Sequence, residues 1–226
     1  MHSVAVEDYL KHLFLTEQEL EDGGLVAMGR LASAVGVTPG TATSMVKALA
    51  DSGLVEYKPR DGTRLTPSGQ KLALHVLRRH RIVETFLVRV LGLDWSEVHE
   101  EADALEHAIS DRVLERIDKL LNHPKTDPHG DPIPTAAGTI DETVHEPLSS
   151  CSSGTSVVVE RVLDQDPSFL QFLDRSGLRP GERLHVASRD EMADAITVDS
   201  VDGDPVTLGI RSASKILVRA ARPGRD

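Results

Sequence analysis

The chain has 226 residues, 39% hydrophobic and 27% charged, with a formal net charge of -11 and only 3% aromatic residues. At roughly 100 to 200 residues per domain this leaves room for one to three domains. No apolar stretch approaches the roughly 18 residues of a membrane span and the N-terminus lacks a basic-then-apolar signal, so a cytoplasmic protein with no membrane partner is expected.

The single cysteine, Cys151, excludes an internal disulfide and lies in a polar Ser-rich run. The acidic balance argues against a nucleic-acid partner until its distribution is considered. Between residues 38 and 81, Lys47, Lys58, Arg60, Arg64, Lys71, Arg78, Arg79 and Arg81 face only Asp51, Glu56 and Asp61. A local basic zone of this kind is suited to phosphates. The excess acid gathers between Glu97 and Glu106, at a density that calls for exposure or a neutralising cation.

In chain order, residues 6 to 20 read as a helix through Tyr9, Leu10, Leu13, Phe14 and Leu20, ended at Gly23-Gly24. A second helix runs from about Met28 to Val35 and stops at Gly36. Thr38 is then placed to cap a third helix with Pro39 at its first position. That helix buries Met45, Val46 and Leu49, ends at Ser52-Gly53, and turns Thr38, Pro39, Thr41, Thr43, Ser44 and Lys47 outward. Two short helices joined by a glycine turn have the form that enters a major groove. Strand, turn and strand follow at 54–58, 59–62 and 63–66, a wing offering Lys58, Arg60 and Arg64 to phosphates.

A long helix is expected from about Gln70 to Leu91, and an amphipathic one over 96–121 with Val98, Ala102, Leu105, Ile109, Val113, Ile117 and Leu120 as its apolar stripe. Asn122 to Pro134 is proline-rich and ends the helical order, and residues 135–154 read as a mobile linker. Five short strands, at 157–159, 184–187, 195–198, 205–209 and 216–218, with a helical turn at Phe169–Leu173, suit a small SH3-like barrel. The fold class is therefore α+β. It comprises a winged helix-turn-helix domain over 1–73, a helical dimerisation and metal-binding domain over 74–140, a linker over 141–154 and an SH3-like domain over 155–226.

The chemistry-bearing residues are His80, Glu84, His99, Asp103, Glu106 and His107, with Asp8 near the start. At about 100° per residue, positions 99, 103, 106 and 107 fall within a ~100° arc of one helix, and His80 and Glu84 share a face of the preceding one. Oxygen and imidazole donors without thiolate suit divalent manganese, iron, cobalt or nickel.

At these residues the chain resembles the diphtheria-toxin-repressor family of iron- and manganese-dependent regulators. The resemblance is carried by Val6-Glu7-Asp8-Tyr9-Leu10, Arg79-His80-Arg81-Ile82-Val83-Glu84, the run from Val98 to His107, and Gly130-Asp131-Pro132-Ile133-Pro134. It implies a homodimer that binds operator DNA when metal-loaded and represses metal-uptake genes, with a FeoA-like C-terminal domain. It also implies a primary metal site of Asp8, Asp103, Glu106 and His107 and an ancillary site of His80, Glu84 and His99, to which the C-terminal domain could add Asp164, Gln165 or Asp166.

Asp8 and Asp103 stand where iron-type members place methionine and cysteine, and hard carboxylates favour Mn2+, with Fe2+ as the alternative. Lys11 stands where short manganese regulators carry a second acid, so it cannot supply their paired-metal ligand. The competing readings are a zinc metalloenzyme, with His99, Asp103 and His107 on the metal and Glu106 as base, and a winged-helix sensor of an organic ligand.

Overall fold

A computed structural model describes residues 3–20, 23–141, 143–200 and 204–221. The chain forms two compact units, one of Met1–His80, Leu105–Leu114 and Ile133–Ile140, the other of Arg81–Ala104, Glu115–Pro132 and Asp141–Asp226. The helical stretches over residues 67–89 and 98–120 contribute to both units. Residues 201–203 and 222–226 of the expected C-terminal domain lie outside the described residues.

The first unit holds α1 (Val4–Gln18), α2 (Met28–Val35), α3 (Pro39–Asp51), β1 (Val55–Lys58), β2 (Gly62–Leu65) and the start of α4 (Pro67–Arg89). α2 stops because Gly36 takes φ +73°, where its N–H reaches the carbonyls of Ala32 and Ser33. α3 starts where Thr38 accepts the Thr41 amide at 3.2 Å, with Pro39 fixing the first turn. β1 and β2 pair antiparallel from Val55↔Leu65 to Lys58↔Gly62. Gly62, at φ +140°, is obligatory, since a Cβ there would collide with the carbonyl of Val26. Tyr9, Leu10, Leu13, Phe14, Leu31, Val46, Leu49, Leu74 and Leu77 close this core, each fully buried leucine contributing about 1.5–3 kcal/mol.

The expected helix over 96–121 is two helices, α5 (Val98–Glu106) and α6 (Asp111–Leu120). The break is stabilised from outside: Arg79 donates to the carbonyl of Glu106 at 3.0 Å and to that of Ile109, and pairs with Asp111. Ser110 starts α6 by accepting the amides of Val113 and Leu114. Val98, Ala102 and Ile117 of the expected stripe are buried, whereas Leu105, Val113 and Leu120 face solvent.

In the second unit, β3 (Glu146–Pro147), β4 (Ser156–Val162), β5 (Arg183–Asp190), β6 (Ala195–Ser200), β7 (Val206–Gly209) and β8 (Ile216–Ala220) form a sheet in the order β3-β8-β4-β5-β6-β7. The five expected strands are β4 to β8. Among the described residues β3 and β7 end the sheet unpaired with each other, so it is reported as a six-stranded sheet rather than a closed barrel. α7 (Pro167–Arg175), capped by Asp166, packs Leu170 and Leu173 into the sheet's core, and α8 (Ile210–Ala213) adds Ala213. The stretch read as a mobile linker is ordered at its C-terminal end. There β3 pairs with β8, a 3-10 turn spans Leu148–Ser150, and Leu148 and Cys151 join the core. Apolar residues flanking a serine run were enough to recruit it.

Candidate functional site

Each unit holds, among its described residues, a cluster of side chains that could ligate a metal. In the first, α1 supplies Asp8 and α5 with the turn after it supplies Glu106 and His107, their ligand atoms lying within 4.8 Å of one another. His107 Nε2 is 2.8 Å from Asp8 Oδ1 and 3.1 Å from Glu106 Oε1, while its Nδ1 is 2.8 Å from Glu7 Oε2. Glu106 is fully buried. Its Oε1 receives the Lys11 ammonium at 2.8 Å and its Oε2 lies 2.7 Å from His80 Nδ1. Burial alone would push the Glu106 carboxyl up, but the hydrogen bond and charge of His80 and the Lys11 ammonium hold it below the usual range. The centre is thus already neutralised by a lysine that is only 3% exposed.

His80, which the resemblance places in the ancillary site with Glu84 and His99, has its Nδ1 at 2.7 Å from Glu106 within the first unit. Asp103 belongs to the second unit, where His99 Nε2 lies 3.6 Å from its carboxylate and His99 Nδ1 lies 3.2 Å from Glu84. His99 and Asp103 are half-exposed, and Glu106 is fully buried. Glu7 was missed, its signal being only adjacency to Asp8.

The second cluster is Glu84, Asp127 and His129, all buried, with ligand atoms within 4.8 Å. Asp127 and His129 sit in the proline-rich segment expected only to end the helical order. His129 gives its Nε2 hydrogen to the carbonyl of Trp95 at 2.8 Å, and its Nδ1, 3.9 Å from Asp127 Oδ1, has no hydrogen-bond partner among the described residues. A backbone carbonyl fixing one nitrogen and freeing the other is how ligating histidines are oriented. Asp127 Oδ1 accepts the amides of His129 and Asp131. Burial, and then the Asp131 and Glu84 carboxylates, push the Asp127 carboxyl well above its ordinary value. Arg81, 3.5 Å from both Asp127 and Asp131, offsets this only in part.

Each of the three C-terminal candidates has a partner within the second unit. Asp166 caps α7 through the amides of Ser168 and Phe169, and Asp164 pairs with Lys215 at 2.5 Å. Gln165 alone turns toward the centre, donating to Asp131 at 2.9 Å.

On the nucleic-acid side, Thr38, Pro39, Thr41, Ser44 and Lys47 are exposed on α3, Thr43 partly so, and Lys58, Arg60 and Arg64 are exposed on the wing. The hydroxyls of Thr43 and Ser44 already donate to the carbonyls of Pro39 and Gly40, and Thr38 is held in its cap. Methyl groups and lone pairs remain for a partner. The basic zone is narrower than its sequence suggests, because Arg78 and Arg79 spend their guanidinium groups on carbonyls within the first unit and Arg81 does so in the second.

A winged helix-turn-helix joined to a carboxylate–imidazole centre defines a metal-dependent DNA-binding regulator. Residues 1–63 match the iron dependent repressor N-terminal DNA binding domain, residues 66–135 the iron dependent repressor metal binding and dimerisation domain, and residues 146–220 the FeoA domain. The chain belongs to the diphtheria-toxin-repressor family of metal-dependent transcriptional repressors.

It is 30% identical over 224 residues to the diphtheria toxin repressor of Corynebacterium efficiens, covering 87% of this chain and 96% of that one. With the iron-dependent repressor IdeR of Mycobacterium tuberculosis it shares 37% identity over 129 residues, 57% of this chain and 54% of the relative. A solved manganese-dependent transcriptional repressor in complex with manganese is similar at TM-score 0.84 and 42% identity, over 96% of this chain and 100% of that one. The relatives are repressors, which sets aside the metalloenzyme alternative. Among the described residues no helix is long and apolar enough to cross a membrane.

Proposed function

We propose that the chain represses metal-uptake genes by binding operator DNA as a homodimer when loaded with a divalent cation, Mn2+ in first place. The observation that carries this is the Asp8–Glu106–His107 cluster, which joins the first helix of the DNA-binding region to the end of α5. Its donors, two carboxylates and an imidazole without sulfur, fit a hard divalent ion. When bound, such an ion supplies positive charge and a fixed coordination geometry. Asp8 would then hold α1 to the turn carrying His107, and Glu106 would exchange part of its contact with Lys11. Because a ligand shifts an equilibrium only by its differential affinity, α1 is favoured in the position that presents Asp8 to the others.

Glu84, Asp127 and His129 form a further ligand set in this reading, beside the ancillary site of His80, Glu84 and His99. Asp103 remains a proposed ligand of the primary site by resemblance, and Glu7 is added beside His107. The exposed Leu105, Val113 and Leu120 supply the apolar contact of the dimer. Thr38, Pro39, Thr41, Thr43, Ser44 and Lys47 face the major groove, where methyl contacts and phosphate positioning outweigh bidentate base pairing. Lys58, Arg60 and Arg64 grip the flanking phosphates. Iron(II) is the second reading, favoured by the likeness to IdeR and accommodated by the same donors.

Titration of Mn2+, Fe2+ and Zn2+ against the full chain, followed by anisotropy of labelled promoter DNA from metal-transport genes, tests the proposal. Binding indifferent to all three ions would overturn it, and a lower half-point for Fe2+ than for Mn2+ would move the metal to iron.

A further inference from the structure

The primary centre reaches one end of α1, and the opposite end of the same helix touches the wing. Glu17, in the last turn of α1, accepts the backbone amide of Leu65 on its Oε1 at 2.6 Å. Leu65 is the last residue of β2, paired with Val55 at the base of the hairpin. Backbone amides at a strand edge ordinarily meet water or another strand, so a half-buried carboxylate from a residue 48 positions away is a specific attachment. Burial pushes the Glu17 carboxyl up, and the Leu65 amide and the Arg64 charge draw it back. The attachment continues along the same edge of β2, where Thr63 and Val26 exchange both backbone hydrogen bonds at 2.8 and 2.9 Å. Val26 and Thr63 are fully buried. The outer edge of the wing is thereby stitched to α1 and to the segment that follows it. Arg64, between these two attachment points, is one of the wing's phosphate-facing cations and is steadied by Glu56 at 2.6 Å.

We infer that Glu17, through the Leu65 amide, is the positioning residue that transmits the metal-set placement of α1 to the wing and so fixes Lys58, Arg60 and Arg64 on the phosphates. The inference rests on the metal-dependent reading above. α1 is a single rod of 15 residues with Asp8 near its start and Glu17 near its end, so a shift imposed at Asp8 is carried to Glu17 rather than absorbed. A carboxylate hydrogen bond is short and strong enough to move a two-stranded ribbon that has little core of its own.

The test uses the full chain as Glu17→Ala and Glu17→Gln, with Mn2+ as the metal. Operator affinity is measured with and without Mn2+, Mn2+ binding is followed by calorimetry, and exchange of the Leu65 amide by hydrogen-exchange mass spectrometry. Glu17→Ala should cut the Mn2+-induced gain in operator affinity about tenfold, the scale of a hydrogen bond to a charged group. Its Mn2+ stoichiometry and metal-free DNA binding should stay unchanged, and Glu17→Gln, whose amide oxygen still accepts, should keep most of the gain. In the native chain Mn2+ should slow Leu65 exchange. A Glu17→Ala protein with the native gain, an equal loss with and without Mn2+, or Leu65 exchange indifferent to Mn2+ in the native chain would each overturn the link. A native chain with no Mn2+-induced gain at all would instead overturn the functional reading on which the link rests.

Discussion

The two metal-capable centres differ in how each buried charge is met before any ion arrives. In the first unit, fully buried Glu106 faces Lys11 and His80, and its carboxyl is drawn down. In the second, Asp127 and Asp131 share Arg81 while Glu84 lies close by, and the Asp127 carboxyl is driven up. One centre carries its own cation on a tether and the other is short of one. A newly bound ion in the first must displace an existing partner, whereas in the second it relieves repulsion. The same residue types therefore give a site whose occupancy rearranges contacts and a site whose occupancy consolidates them.

The comparison is broken most severely at Lys11. Lys11→Met leaves Glu106 buried without its ammonium, so the metal-free protein should lose about 3–5 kcal/mol in urea unfolding, as buried pairs do when one partner is removed. Added Mn2+ should restore much of it, and a native-like midpoint without metal would contradict the tether. Next in size is His107→Ala, which should erase the metal-induced gain in operator affinity, on the order of 5- to 150-fold for a typical coupling. Anisotropy at saturating Mn2+ would read it, and a variant that still responds normally would remove His107 from the centre.

Asp127→Asn acts in the opposite sense. It removes a repelled charge while its amide oxygen can still accept the two backbone amides, so the metal-free protein should gain about 1 kcal/mol, or a rise of roughly 2–4 °C in Tm. A pH series sharpens this. A carboxyl whose folded value is raised binds its proton more tightly in the folded state, so its contribution is favourable at low pH and is lost as pH climbs from the ordinary carboxylate range through the raised value. The native metal-free chain should weaken over that window and Asp127→Asn should not; parallel curves would refute the assignment. The smallest effect is expected from Arg60→Gln on the wing, which should lower operator affinity without regard to sequence and flatten the salt dependence by about one phosphate contact.

Much of the DNA-binding half could be read from the chain because its signals are local. Thr38-Pro39 announces the start of α3, Gly36 the end of α2, and Pro59-Arg60-Asp61-Gly62 the turn of the wing. The alternation of Val, Ile and Leu likewise marked β4 to β8. Three things escaped, each because its cause is distant. The gap between α5 and α6 depends on Arg79 reaching across from α4, and a periodic apolar stripe runs through that gap unbroken. Asp127 and His129 lie on a segment with no periodicity, and only the density of Asp and His in Asp127-Pro128-His129-Gly130-Asp131 hinted at them. Leu148 and Cys151 were masked by the serines beside them. Resemblance placed Asp8, Glu106 and His107 together, as their ligand atoms are, whereas the contact of His80 with Glu106, 26 residues along the chain, had no local signal.

Gly130 takes φ +86° in a place where any Cβ would overlap the carbonyl of Glu160, and the carbonyl next to it, of His129, receives the amide of Val162 at 2.9 Å. Arg161 and Gln165 reach Asp131 from the same side. The loop that carries Asp127 and His129 is thus cast against the β4 strand as against a mould. A chain shortened before β4 would keep every one of those ligand residues and lose the surface that gives their loop its shape. For the second centre, the C-terminal sheet therefore matters through its backbone relief more than through any carboxylate it could lend.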